Sequence, residues 1–174
     1  FEARLQSRGD RTEDPEESRP AIQQGEVEWM NIGGYLKASQ EPGAIPLVCT
    51  EFEVPEAFRA LYEVPRICAV REIEDPTQFL FLASAGRHAH LHYDGDQRHT
   101  LLCQVVGRKR VLLFEPRCSM MLSPMVNFSA ICLDRFTEEQ KRGFVDLWGG
   151  YDVVLEPGDA LFFPMLMWHY VEYL

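Results

Sequence analysis

The sequence predicts a mainly β fold: short strands closed into a sandwich or barrel of the double-stranded β-helix, or jelly-roll, kind. Three observations predict it. From Phe79 onward, short apolar or alternating runs are separated by turns containing glycine or proline. No stretch of the chain repeats another. His92, Asp94 and, far downstream, His169 have the spacing of polar groups that share one interior face of a strand fold.

At 174 residues the chain is long enough for one domain with its own core, and its apolar content of 46% is ordinary for a globular protein. No apolar run reaches the length of a bilayer span. The longest, Ala160 to Trp168, is short and contains Pro164. Phe1 opens the chain without a signal-peptide pattern and without a methionine, which leaves targeting upstream of it open. Five cysteines (Cys49, Cys68, Cys103, Cys118 and Cys132) are scattered, odd in number and never spaced C-x-x-C. That usage argues against a zinc site or a disulfide framework and fits free thiols in an intracellular compartment, cytoplasmic or nuclear. The net charge of −10 disfavours a general phosphate-binding surface. A protein or peptide partner is therefore expected ahead of nucleic acid, and no membrane partner is expected.

The elements follow in order. Residues 1–25 are expected to be a flexible segment. Within it, Gly9 to Pro20 is rich in charge, serine and proline, with little to bury. Glu26 to Ser39 predicts a helix, with Trp29, Ile32 and Leu36 at near-helical spacing, weakened by Gly33-Gly34. Pro42 to Pro46 reads as a linker, and Pro55 to Tyr62 as a helical turn stopped by Pro65. Phe79 to Ala83 is a strand broken at Ser84-Ala85-Gly86. His88 to Asp94 alternates, which places His88, His90, His92 and Asp94 on one face before the Gly95-Asp96 turn. Thr100 to Val106 and Lys109 to Phe114, joined through Gly107-Arg108, predict a hairpin. Asp134 to Trp148 predicts a helix with Phe136, Phe144 and Leu147 inward, ended by Gly149-Gly150. Tyr151 to Leu155, Ala160 to Phe163 and Trp168 to Leu174 are the closing strands. One domain is expected over residues 26–174.

The chemistry centres on His92-Tyr93-Asp94 and Trp168-His169. Two imidazoles and a carboxylate on one face of a metal are what a non-haem Fe(II) oxygenase uses, leaving positions open for a co-substrate and dioxygen. His90 points the same way by strand alternation, so a second ligand set of His90, His92 and His169 stays open. His88 and His99 read as structural or surface residues. In Lys109-Arg110-Val111-Leu112-Leu113, alternation puts Lys109 with Val111 and Leu113 on the barrel-filling face. A buried lysine is costly unless it meets an anion, and a dicarboxylate would supply one.

Three motifs in order carry a family resemblance. They are Ala85-Gly86 through His92-Tyr93-Asp94-Gly95, then Gln104-x-x-Gly107-x-Lys109-Arg110 running to Phe114-x-Pro116, then Leu155 to Pro164 with Trp168 to Glu172. Together they resemble the JmjC, or cupin-like, Fe(II)- and 2-oxoglutarate-dependent oxygenases. The likeness is to the small protein-hydroxylase branch that includes the asparaginyl hydroxylase of hypoxia-inducible factor; the tRNA wybutosine hydroxylase is similar. The clear match covers Phe79 to Leu174, and Glu26 to Leu61 resembles the family's N-terminal helices loosely. The resemblance implies His92, Asp94 and His169 as iron ligands and as the catalytic centre. It implies Lys109 as partner of the distal carboxylate of 2-oxoglutarate. It puts Thr100 where relatives carry an asparagine that bonds the co-substrate. Fe(II), 2-oxoglutarate and dioxygen are the implied cofactors, and hydroxylation of a protein or peptide side chain is the implied reaction. Ala89 and His90 depart from the family pattern at two places before His92, and Met167-Trp168 replaces an aromatic pair. A non-catalytic JmjC-like binding module and a tRNA-nucleoside hydroxylase are the rival readings. Relatives continue beyond the point matching Leu174 with closing strands and often a helical dimerisation segment, so the resemblance also allows a homodimer formed there.

Overall fold

The computed structural model describes residues 2–5, 27–40, 47–60, 62–68 and 77–174. The loop expected from Gly9 to Pro20 and the linker from Pro42 to Pro46 lie outside the described residues. These fall into two compact units, one ending at Ser84 and one running from Ala85 to Leu174. No helix among them is long and apolar enough to cross a membrane.

The first unit is an antiparallel sheet of β1 (Glu2–Leu5), β2 (Val27–Trp29), β3 (Leu47–Glu53) and β4 (Phe79–Ala83), in the order β2-β1-β3-β4. Strand β1 lies within the span expected to be flexible. It pairs on both sides, with β2 and β3, and is too short to announce itself by periodicity. The helix expected from Glu26 begins later, as α1 (Ile32–Gln40), because its first residues pair as β2. The Asn31 side chain accepts from Gly34 N at 2.7 Å and caps the new start. Its buried face also differs from the expected one. Tyr35 is buried against Met30, Ala38 and Leu82, while Leu36 is exposed. A short α2 (Glu56–Arg59) follows Pro55, as predicted.

The second unit carries β5 (His88–His92), β6 (Thr100–Cys103), β7 (Lys109–Phe114), β8 (Pro124–Met125), β9 (Phe128–Ser129), β10 (Tyr151–Leu155), β11 (Ala160–Phe163) and β12 (Trp168–Tyr173). Six of them form an antiparallel sheet in the order β10-β7-β12-β5-β9-β8, and β6 pairs separately with β11. The fold is therefore mainly antiparallel β, as a jelly roll requires, with few helices. The predicted hairpin between Thr100–Val106 and Lys109–Phe114 does not form. Strand β6 pairs with β11, and β7 pairs with β10 and β12. Leu102 of β6 instead packs on the interior cluster to which Val111 of β7 belongs. Alternation shows which face a residue takes, but not which strand lies beside it.

That interior cluster comprises Val111, Leu113, Leu155, Phe163, Met167 and Val171. On the other face of the six-stranded sheet, Leu91, Leu112, Phe114, Trp168 and Tyr170 pack with Val145 of α3 (Glu138–Trp148). Thr137 and Gln140 cap α3 reciprocally, and Gly149 ends it in the left-handed region at φ 61°. Phe136 and Phe144 pack inward as predicted, but Leu147 is exposed and Val145 takes its place. Gly150 lies tight against the sheet. A Cβ there would come within 2.6 Å of the Phe114 ring and 2.8 Å of the Leu113 carbonyl oxygen. Phe114 is fully buried and has nowhere to move. Gly150→Ala is expected to destabilise the unit by about 1–3 kcal/mol in urea unfolding, as overpacking does.

Arg110 lies on the face opposite Lys109, as strand alternation requires, and is buried there. It makes two hydrogen bonds to Asp152 (2.8 and 2.7 Å) and also bonds Glu138 and Glu172. Lys141 of α3, also buried, bonds Glu138 and Glu172. The helix is thus fastened to the outer face of the sheet by an ionic network as well as by apolar packing.

Candidate metal centre

His92 closes β5 and lies opposite His169 of β12, which in turn lies opposite Leu113 of β7. One row across three neighbouring strands therefore carries two of the predicted ligands. Asp94 lies just past the end of β5 rather than within it, contrary to the expected strand from His88 to Asp94. Its Oδ1 is 3.7 Å from His92 Nε2 and 3.9 Å from His169 Nε2. The three donor atoms all lie within 4.8 Å of one another.

Each imidazole is turned the same way. His92 Nδ1 donates to the His90 carbonyl at 2.6 Å, and His169 Nδ1 donates to the Met167 carbonyl at 3.0 Å. A carbonyl only accepts, so each ring keeps its proton on Nδ1 and turns an Nε2 lone pair towards Asp94. The walls are aromatic. Phe128 stacks on His92 at 5.6 Å between ring centres, and Phe163 lies 5.1 Å from His169. Burial first, and then the neighbouring His92, push the His169 imidazole down to about 4. It is therefore neutral at pH 7, the form that binds a metal. Two imidazoles and a carboxylate are a donor set that fits Fe(II).

The expected alignment of four polar side chains on one face does not hold. Ala89 lies opposite Val171 and His92 opposite His169, so His90 and Leu91 together face the single residue Tyr170. This bulge interrupts the pleat. His88 passes to the outer face, where its ring is 5.8 Å from that of Tyr170. His90 donates from Nε2 to the Ser129 carbonyl at 2.6 Å and is not a member of the cluster. Ala89 packs with the interior cluster in its place. His99 is exposed and accepts from Met165 N at 3.3 Å.

Lys109 lies on the same face of the sheet as the ligand row, opposite Tyr173, with Val111 and Val171 between. Four residues along a strand put it about 13 Å from that row, Cα to Cα. It is 6% exposed, and its ammonium is 4.8 Å from the centre of the Tyr173 ring. Burial pushes its pKa down to about 8. Thr100 lies opposite Phe163, the residue against His169, on the interior side of β6. Asn127 is the residue that sequence reasoning missed. It hydrogen-bonds the backbone of Tyr93, between His92 and Asp94.

A family model described as a cupin-like domain matches residues 7–174. JmjC domain-containing protein D of Dictyostelium discoideum is 34% identical over 149 residues, covering 81% of this chain and 32% of that protein. The chain belongs to the cupin-like JmjC family. The JmjC chain is also similar to tRNA wybutosine-synthesizing protein 5 of Danio rerio, at 29% identity over 76% of this chain and 37% of that protein. Lysine-specific demethylase 8 of Danio rerio is 28% identical over 82% of this chain and 36% of its own length. This JmjC chain spans about a third of the length of the curated relatives it matches.

Proposed function

We propose that this JmjC chain is an Fe(II)- and 2-oxoglutarate-dependent dioxygenase that hydroxylates a side chain of a protein or peptide. The observation that carries the reading is the convergence of one donor atom each from His92, His169 and Asp94 within 4.8 Å of one another, with both Nε2 atoms facing Asp94 Oδ1. Three protein ligands on one side would hold the metal and leave its other side free. Iron with 2-oxoglutarate and dioxygen would supply the oxidising chemistry. The chain's own residues bind, orient and exclude water. The carbonyls of His90 and Met167 fix both imidazoles in one tautomer. Phe128 and Phe163 keep the site apolar. Lys109 would pair with the far carboxylate of the co-substrate, and Thr100 would offer it a hydroxyl. The net charge of −10 favours a protein or peptide over tRNA.

The test is anaerobic Fe(II) titration with and without 2-oxoglutarate, followed by the visible charge-transfer band of the chelate. The band is expected with wild type, and iron binding without it would remove the co-substrate. Lys109→Ala is expected to weaken 2-oxoglutarate by about ten- to a hundredfold, the worth of one charge-assisted contact of about 1.5–3 kcal/mol. Iron affinity should stay as in wild type. Because burial holds Lys109 near 8, wild-type affinity for the dicarboxylate is expected to fall as pH rises through that value. The alanine variant should lack this fall. Equal affinity in variant and wild type would exclude Lys109 from the site.

A further inference from the structure

The hairpin β8–β9 reaches the metal centre through a residue that coordinates nothing. Asp94 lies beyond the ladder that fixes His92, so something else must set where its carboxylate falls. The backbone between the two ligands belongs to Tyr93, and the hairpin tip holds it at three points. Tyr93 N donates to the Asn127 carbonyl at 3.0 Å. Asn127 Nδ2 donates back to the Tyr93 carbonyl at 3.1 Å. The Tyr93 hydroxyl donates to the Val126 carbonyl at 3.3 Å. The Tyr93 ring then meets Trp168, the neighbour of His169, edge-on at 4.9 Å. The tip itself is strained. Val126 is 88% exposed and takes φ 60°, a conformation that β-branched residues rarely adopt. Such strain persists only where the surroundings hold it, and here the contacts with Tyr93 do so.

We propose that Asn127 is a positioning residue of the metal centre. Its side-chain amide, bound to the carbonyl of Tyr93, fixes the turn out of β5 and so aims the Asp94 carboxylate at the two Nε2 atoms. The inference rests on the reading of His92, Asp94 and His169 as metal ligands. Asn127 is not a member of the ligand cluster; its hydrogen bonds go to the backbone of Tyr93, between two of the ligands.

The test uses the full chain and Co(II) as the probe, titrated by calorimetry and by its visible ligand-field bands. Asn127→Ala removes the amide, and Asn127→Leu removes it while keeping the volume. Met125→Ala, an exposed change on the same hairpin, is the control. Both Asn127 variants are expected to bind Co(II) about ten- to a hundredfold more weakly, the usual effect of losing a group that orients a ligand. Their bands should shift as Asp94 reorients, while the near-UV dichroism of the Tyr93–Trp168 pair is kept. The control should match wild type in all three. Wild-type affinity and bands in both variants would overturn the proposal, provided Asp94→Ala abolishes binding. Loss of near-UV dichroism together with binding would make Asn127 a residue of the fold and overturn it as well. Failure of wild type to bind Co(II) would instead remove the ligand reading on which the proposal stands.

Discussion

Asp94→Ala is expected to take iron binding from about one equivalent to none measurable, with the fold intact. Asp94 is the only anionic member of the cluster, and its Oδ1 is nearly equidistant from the two imidazole nitrogens, at 3.7 and 3.9 Å. Removing it leaves two imidazoles in an apolar site with no carboxylate to compensate a divalent cation. The low effective dielectric there makes that loss larger than it would be at the surface. The residue lies at a strand end, so its side chain is not needed for the ladder. Metal content after reconstitution, read beside far-UV dichroism, checks both halves of the expectation. Iron bound at wild-type stoichiometry would remove Asp94 from the ligand set. His169→Ala should also lose the metal, but at a cost in stability, because that imidazole is buried in the middle of the row.

Arg110→Ala should be the most destabilising single change of a charge, by about 3–5 kcal/mol in urea unfolding. The guanidinium is buried among Asp152, Glu138 and Glu172, with two bonds to Asp152 alone. Taking it away leaves three carboxylates with Lys141 as the cation bonded to two of them. Arg110→Lys should recover part of the loss, since an ammonium keeps the charge but not the paired bonds. Arg110→Ala no less stable than wild type by about 1 kcal/mol would show that the network contributes only as surface pairs do. The pH dependence has two signs. Lys141 and Arg110 hold the Glu138 carboxyl below its ordinary range, so its contribution is lost as pH falls through that lowered value. Burial pushes the Lys141 ammonium down, but Glu172 and Glu138 outweigh it and the net shift is upward. Its contribution is present below the ordinary lysine range and is lost only as pH rises through the raised value.

The strands that hold the site were legible because strand geometry sends alternate residues to opposite faces, even in β7, where both faces are buried. Lys109, Val111 and Leu113 share a face in the structure as they do in the pattern. His92, Asp94 and His169, named from a short spacing and a distant strand, lie together in the structure. What failed were features that depend on neighbours. The bulge that turns His90 to Ser129 follows from pairing with β12, and nothing within His88 to His92 announces it. The separation of β6 from β7 is a choice of hydrogen-bond partner made by the whole sheet. The burial of Arg110 depends on acids from α3, β10 and β12 meeting at one point. Asn127 escaped notice because β8 and β9 are too short to show a period, although an asparagine in a two-residue connection is itself a turn signal.

The ligand row has a consequence for how the protein is made. Strand β12 lies between β5 and β7 and carries His169, yet it is synthesised after the other described strands of its sheet. While the ribosome is still behind it, β5 and β7 have no common neighbour, and Val111 and Leu113 have lost part of the interior that covers them. A nascent chain at that stage would offer the proposed metal His92 and Asp94 but not the third donor. On the proposed ligand set, metal capture would wait for β12, and the interval before it is when chaperone binding has the most apolar strand surface to recognise.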